Sequence, residues 1–304
     1  MNKKLFAFDL DGTLLSNSQF GKIPENTINI IKNIREQGHV VCILTGRPWK
    51  ATKDIYKKLD LNTLVANYNG GHIHNPTDYD FLPIIRTMKA TTVMKIISSL
   101  EILKIAKNIA IEITNETHIQ NNTVDFFTQT FIKGDGTGEL FSPIKWENVV
   151  REPSGVLIEV KTKYAKDMDH IKKYFHGLYG DEVSFSYWDT GEGREPILEF
   201  TNKSARKDMA LIKMARYYDI KMKDVVAFGD GFNDVEMLKT AGVGVAMNNA
   251  SDNVKTFANV ITKHSNKDGG VAKFIKWYLK GGHKKVNKVV YDFKTIQTEP
   301  IKES

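Results

Sequence analysis

The sequence predicts an α/β protein: a doubly wound, mostly parallel sheet with a smaller α/β domain inserted into it. Three observations lead there. Short runs that are apolar throughout, such as Leu5 to Phe8, Val40 to Leu44 and Val225 to Phe228, read as strands buried on both faces, as in a parallel sheet. Segments with apolar residues at helical spacing separate them, the alternation of βαβ units. From about Pro83 to Arg194 this pattern gives way to another mixture of strands and helices, and it resumes at Pro196. At 304 residues the chain has room for two domains and a sizeable core. The expected division is a core of residues 1–82 and 195–280, an insert of 83–194 and a tail of 281–304.

The first strand runs into Asp9-Leu10-Asp11-Gly12-Thr13, two carboxylates one residue apart at the end where open α/β sheets place their sites. Strand alternation turns both acids to one side, and Gly12 permits a sharp exit. Such a pair suits one divalent cation bound by oxygen, most simply Mg2+. One carboxylate can then attack a phosphoryl group, while the other protonates the leaving oxygen and later deprotonates water. A bare D-x-D is more often an acidic turn, so its weight comes from the rest of the chain.

Pro24 opens a helix with Ile28, Ile31 and Ile34 on one face, closed by Gly38. The second strand, Val40 to Leu44, leads into Thr45-Gly46-Arg47-Pro48, which offers a hydroxyl and an open amide to an anion, or is simply a strand-to-helix turn. A helix from Trp49 to Leu59 and a short strand from Leu64 follow, ending in the turn former Asn69-Gly70-Gly71, where Asn69 can also bond a substrate.

In the insert the pattern predicts a helix over Thr91 to Leu103, a strand over Ile109 to Ile113 and a polar hairpin to His118. A strand over Val156 to Lys161, a helix over Ala165 to Tyr174 and a strand over Val183 to Trp188 complete it. Lys133 to Gly138 is glycine-rich but precedes no helix start, so it reads as a loop, and the histidines lack metal-ligand spacing. The earlier pattern returns with Pro196 to Thr201, then Lys203, Lys207 and a helix carrying Ala210, Leu211, Met214 and Ala215. Val225 to Phe228 again ends in acids, Gly229-Asp230-Gly231-Phe232-Asn233-Asp234. A strand over Gly242 to Met247, a helix over Ser251 to Ala258, Val260 to Thr262 and an amphipathic helix from Asp268 to Leu279 close the core; in the tail, Val289, Val290, Tyr291 and Phe293 can dock as a strand.

The net charge of +7 comes from lysines spread along the chain, not clustered with aromatics, so a solvated basic surface is expected and no nucleic-acid partner. A basic field also favours a small phosphorylated metabolite. The single cysteine, Cys42, lies in an apolar run, which excludes an intrachain disulfide and reads as a buried thiol. No signal-length apolar core opens the chain and no window is apolar enough to span a bilayer, so no membrane partner and a cytoplasmic location are expected.

In a doubly wound sheet the strand ends bearing Asp9 and Asp11, Thr45, and Asp230 and Asp234 converge on one edge. Together with a lysine they form a full set for phosphoryl transfer, which depends on positioning and charge neutralisation. In order and spacing, Asp9-Leu10-Asp11-Gly12-Thr13, Thr45-Gly46-Arg47, Gly229 to Asp234, Gly244 to Ala250 and Asp268 to Ala272 resemble the haloacid dehalogenase-like hydrolases, in the Cof-type group of phosphatases with an α/β (type IIB) cap.

The resemblance implies a Rossmann-like core and a Mg2+-dependent phosphatase of small phosphomonoesters, with sugar phosphates as the expected substrates. It makes Asp9 the nucleophile and a Mg2+ ligand, Asp11 the acid/base with its carbonyl on the metal, and Asp230 the third metal residue; Asp234 is an orienting acid or a ligand through water. It gives phosphate binding to Thr45, the amides of Gly46 and Leu10, Asn233 and Lys207, eight residues after Glu199. Here the chain departs from the family, which has Pro and Gly in that loop; Lys203 is a rival, and Asp208 is placed to pair with Lys207. Arg47, Trp188 and Arg194 are candidate contacts for the leaving group or else structural or surface residues, and Asn69 is a candidate substrate contact. The alternatives are a phosphomutase on the same core and a non-catalytic anion- or nucleic-acid-binding protein.

Overall fold

The computed structural model describes residues 2–16, 22–113, 116–121, 141–143, 152–188 and 195–286. Its strands, in chain order, are β1 (Leu5–Phe8), β2 (Val40–Leu44), β3 (Val65–Asn67), β4 (His72–His74), β5 (Ile84–Ile85), β6 (Ala106–Ile113), β7 (Glu116–Ile119) and β8 (Phe141–Pro143). They continue with β9 (Gly155–Val160), β10 (Val183–Trp188), β11 (Ile197–Asn202), β12 (Val225–Gly229), β13 (Val243–Ala246) and β14 (Val260–Ile261). Residue contacts divide the chain into two compact units, 1–41 with 211–304, and 42–210.

In the first unit the strands run β14-β13-β12-β1, all parallel. The Val40 amide donates to the Lys4 carbonyl (2.8 Å), so β2 sets out along the other side of β1. Every residue of β1 is fully buried, and the reason is helices over the sheet. Phe6 and Phe8 share a face; Phe8 stacks on Phe228 of β12 (4.9 Å), and Phe228 and Phe6 meet Phe274 and Tyr278 of the helix Gly270–Leu279 edge-on. Each such ring contributes about 1.5–3 kcal/mol through burial alone. Val235 and Leu238 of the helix Val235–Thr240 and Val254 of the helix Asp252–Lys255 form one apolar cluster with Ala246 of β13. Apolar runs this deeply buried end where the chain must reach polar surroundings, and in β1 and β12 that point is an aspartate.

In the second unit β2 pairs parallel with β3, which turns back antiparallel through β4 and β5. A second sheet, β10-β11-β9-β6-β7-β8, is antiparallel except for β7 with β8. One face holds an apolar cluster that includes Ile111, Ile158, Leu198 and Phe200 with Val93, Ile102 and Phe175 of the helices Ala90–Ile97, Leu100–Ile105 and Met168–Tyr179. The other face carries a small cluster of Ala110, Ile119, Leu157 and Ile197 and three buried carboxylic acids, Glu112, Glu159 and Glu199. The α/β class and the mostly parallel sheet agree with the sequence reading.

Several details differ from it. The helix expected over Thr91 to Leu103 is two, because the Ser99 hydroxyl caps a new start by accepting from the Ile102 amide while donating to the Ile96 carbonyl. β6 begins at Ala106, three residues early, with a register shift at Asn108, whose side chain bonds the backbone of Asn121. Trp49 to Ala51 is a 3-10 turn ahead of the helix Lys53–Lys58, and the helix expected from Ser251 to Ala258 is only Asp252–Lys255. Most instructive is β11, which reads as a return to parallel strands yet lies between β10 and β9 in the antiparallel sheet. It is buried on both faces, so its composition is that of a central parallel strand. Cys42 is fully buried, and burial pushes its thiol up to about 12. No described helix is long and apolar enough to cross a membrane. Lys133 to Gly138, Arg194 and Val289 to Phe293 fall outside the described residues.

Candidate active site

In the first unit Asp9 follows β1 and continues its ladder, its amide donating to the Phe228 carbonyl (3.1 Å). Asp230 follows directly on β12, the strand paired with β1. Asp234 begins the helix after β12 and is completely buried; its Oδ2 accepts from the amides of Asp230 (3.0 Å) and Gly231 (2.9 Å). One carboxylate oxygen from each of Asp9, Asp230 and Asp234 lies within 4.8 Å of the others. Three anions this close repel one another, and a cation among them relieves that cost. The donors are all hard carboxylate oxygens, so the group fits Mg2+.

The loop after β1 is shaped to admit Asp230. Gly12 adopts a left-handed φ of +73°, and a Cβ there would lie 2.0 Å from Asp230 Oδ2. Thr13 Oγ1 donates to Asp230 Oδ1 (2.8 Å), holding the carboxylate from the other side. Asp11 is half-buried and stands apart from the three-carboxylate group, in a bridge with Leu15. Asn233 is exposed beside Asp234, and Leu10 is fully buried in the turn, its carbonyl accepting from the amides of Thr13 and Leu15.

In the second unit Thr45 follows β2 and is buried; its amide donates to Ala66 O (2.9 Å) and its hydroxyl accepts from the Arg47 amide (3.1 Å). Its carbonyl accepts from the Asn69 amide (2.9 Å), which brings the Thr45-Gly46-Arg47 turn and Asn69 together. Tyr68 and Asn69 are both left-handed (φ +50° and +54°), a conformation a tyrosine rarely takes. Gly70 permits a close approach: a Cβ there would stand 2.7 Å from the Arg206 carbonyl, so the turn lies against the start of the helix that Lys207 opens. Lys207 is buried, whereas the rival Lys203 is exposed and pairs with Asp181 (3.2 Å). The Asp208 carboxylate pairs with Arg206 (2.6 Å).

Asn69 Nδ2 donates to Glu199 Oε2 (3.3 Å), which also accepts from Ser186 Oγ (2.7 Å). Nearby in the same unit, burial raises the Glu112 carboxyl to about 7 against the pull of Lys50, whose ammonium is 4.0 Å away, and burial beside Glu112 holds the Tyr68 phenol well above its ordinary range. Thr13, Glu112, Asn249 and Asn266 carry no site signal of their own in the sequence. Thr13 stood within the quoted first motif and Asn249 within the Gly244 to Ala250 stretch, but hydrogen bonds that join distant loops leave no spacing signal.

A family model of the haloacid dehalogenase-like hydrolases matches residues 6–275. A putative phosphatase of Metamycoplasma hominis, from the region 3' of upp, is 37% identical, over 89% of this chain and 95% of its own. The 5-amino-6-(5-phospho-D-ribitylamino)uracil phosphatase YitU of Bacillus subtilis is 30% identical, over 90% of this chain and 97% of its own. Among solved structures, a haloacid dehalogenase-like hydrolase from Bacteroides thetaiotaomicron has the same fold, with a TM-score of 0.73 at 23% identity over 90% of this chain and 99% of that one. A HAD subclass IIB sugar phosphatase gives a TM-score of 0.71 at 20% identity, over 91% and 99%. Acids at the ends of two adjacent buried strands and a match over nearly the full length lead to one conclusion: the chain is an enzyme of the haloacid dehalogenase-like hydrolase family.

Proposed function

We propose that this enzyme is a Mg2+-dependent phosphatase that hydrolyses small phosphomonoesters, sugar phosphates foremost, through a phosphoryl group carried on Asp9. The observation that carries the reading is the gathering of the Asp9, Asp230 and Asp234 carboxylates at the ends of β1 and β12. Asp9 and Asp230 hold the ion, with the Asp11 carbonyl, and Asp234 orients them. Bound Mg2+ supplies neutralisation of the charge on the phosphoryl oxygens. An oxygen of Asp9 attacks phosphorus as the bond to the leaving oxygen breaks, and the Asp11 carboxyl gives that oxygen its proton. Water then attacks the phosphorus, Asp11 takes its proton, and the bond to Asp9 breaks to release inorganic phosphate.

Thr45, the Gly46 and Leu10 amides, Asn233 and Lys207 are proposed to hold the phosphate. Burial of Lys207 and the pairing of its rival elsewhere support that choice of lysine. The inserted domain is proposed as a cap that selects the leaving group, with Arg47 and Asn69 as contacts. A relative named for a ribityl phosphate supports a polyol or sugar phosphate as substrate. The test is a phosphate-release screen over sugar phosphates, nucleotides and cofactor phosphates with Asp9→Asn as control. Mg2+-dependent release that the control abolishes is expected. Interconversion of sugar phosphates without release, or release undiminished in the folded control, overturns the proposal.

A further inference from the structure

We propose that Asn249 and Asn266 form a clasp on the loop 10–15 that sets where Asp11 meets the leaving oxygen, both acting as positioning residues. The inference rests on the acid/base role proposed above for Asp11. Asn249 Nδ2 donates to the Gly12 carbonyl (2.8 Å), and Asn266 Nδ2 donates to the Leu15 carbonyl (2.7 Å). The two asparagines are joined, since Asn249 Oδ1 accepts from the Asn266 amide (3.0 Å). Gly12 follows Asp11 directly, and Leu15 is the residue bridged to Asp11 across the turn. The clasp therefore grips the backbone at the residue that follows Asp11 and at the residue bridged to it.

That grip matters because of what lies between. Gly12 has the widest backbone freedom of any residue and sits here in the left-handed region. The bonds from the Thr13 and Leu15 amides to the Leu10 carbonyl curl the loop but leave the Gly12 carbonyl to another partner. Asn249 supplies it from a fixed base: the Met247 amide, just beyond β13, donates to the Gly229 carbonyl of β12 (3.0 Å), and the Asn248 amide donates to Thr262 Oγ1 (2.9 Å). Asn266 is buried, and a buried side-chain amide is stable when its polar atoms find partners. The clasp thus ties the acid's loop to the strand that carries Asp230.

The test compares kcat/KM, which reports the reaction up to departure of the leaving group, on two substrates with Mg2+ present. Para-nitrophenyl phosphate releases a stable phenolate that needs no proton; the best sugar phosphate of the release screen releases an alkoxide that does. Asn249 is exposed, so Asn249→Ala is expected to fold with a melting temperature close to wild type. It is expected to lower kcat/KM on the sugar phosphate about tenfold or more, within the range a general acid commands, and on para-nitrophenyl phosphate less than about twofold. Asn249→Asp, which keeps the acceptor but loses the donor, is expected to do the same. In an Asp11→Asn background, adding Asn249→Ala is expected to cost less than about a further twofold.

Equal losses on both substrates, or full additivity with Asp11→Asn, would assign Asn249 a merely structural role and overturn the inference. Should Asp11→Asn show the selective loss and Asn249→Ala none, the clasp alone fails. Should Asp11→Asn show no selectivity, the acid/base assignment fails and the clasp falls with it.

Discussion

Replacing Gly12 with alanine tests the site through its backbone. The residue holds φ at +73°, where a side chain costs about 1–2 kcal/mol. The larger effect is steric: the new Cβ would lie 2.0 Å from Asp230 Oδ2 and 2.5 Å from its Cγ. Non-bonded atoms settle at roughly 3.5 Å, so the carboxylate must retreat by about 1 Å or more. Retreat breaks the Thr13 bond and takes Asp230 away from Asp9 and Asp234. A misplacement of about 1 Å in a catalytic group costs about 10²-fold in rate. Gly12→Ala is therefore expected to lose about 1–3 kcal/mol in urea unfolding and at least about 10²-fold in phosphate release, with half-saturation shifted to higher Mg2+. A folded variant with wild-type turnover and wild-type Mg2+ dependence would refute the reasoning.

Thr13→Val removes the donor to Asp230 Oδ1 with little change of shape, and is expected to weaken Mg2+ about 10-fold or more; Mg2+ titration of activity reads this directly. Removal of Mg2+ by chelation is expected to abolish turnover and its return to restore it, with circular dichroism unchanged because the core around β1 and β12 is apolar. His74 is held down to about 3, mainly by burial and then by neighbouring His72, so the folded state keeps it neutral while the unfolded chain takes a proton below 6.5. Stability from this group is present above pH 6.5 and is lost as pH falls toward 3, by about 2 kcal/mol at pH 5. His74→Gln is expected to flatten that decline in pH-dependent unfolding; an identical slope would contradict it.

Much of the core was legible because its strands are fully buried. Leu5 to Phe8 and Val225 to Phe228 have no polar residue until the chain leaves the sheet, so the acids mark the strand ends in the sequence itself. The same logic misread β11, whose burial comes from the antiparallel sheet and its helices. β4 and β5 escaped notice because three residues of His-Ile-His and two of Ile-Ile are too short for a period to register. Glu112, Glu159 and Glu199 alternate with apolar residues as a solvated strand face would, yet all three are buried. Within the site, Asp9, Asp230 and Asp234 came from strand ends and are gathered in the first unit; Thr45 and Asn69 are joined in the second through backbone bonds that residue types do not encode.

The central claim is that Asp9 carries the phosphoryl group. Quenching the enzyme with acid during turnover and reducing it with borohydride converts an aspartyl phosphate to homoserine, which peptide mass spectrometry locates. Homoserine at position 9, and none in Asp9→Asn, is the predicted result. Steady turnover with homoserine at another aspartate, or at none, would contradict it.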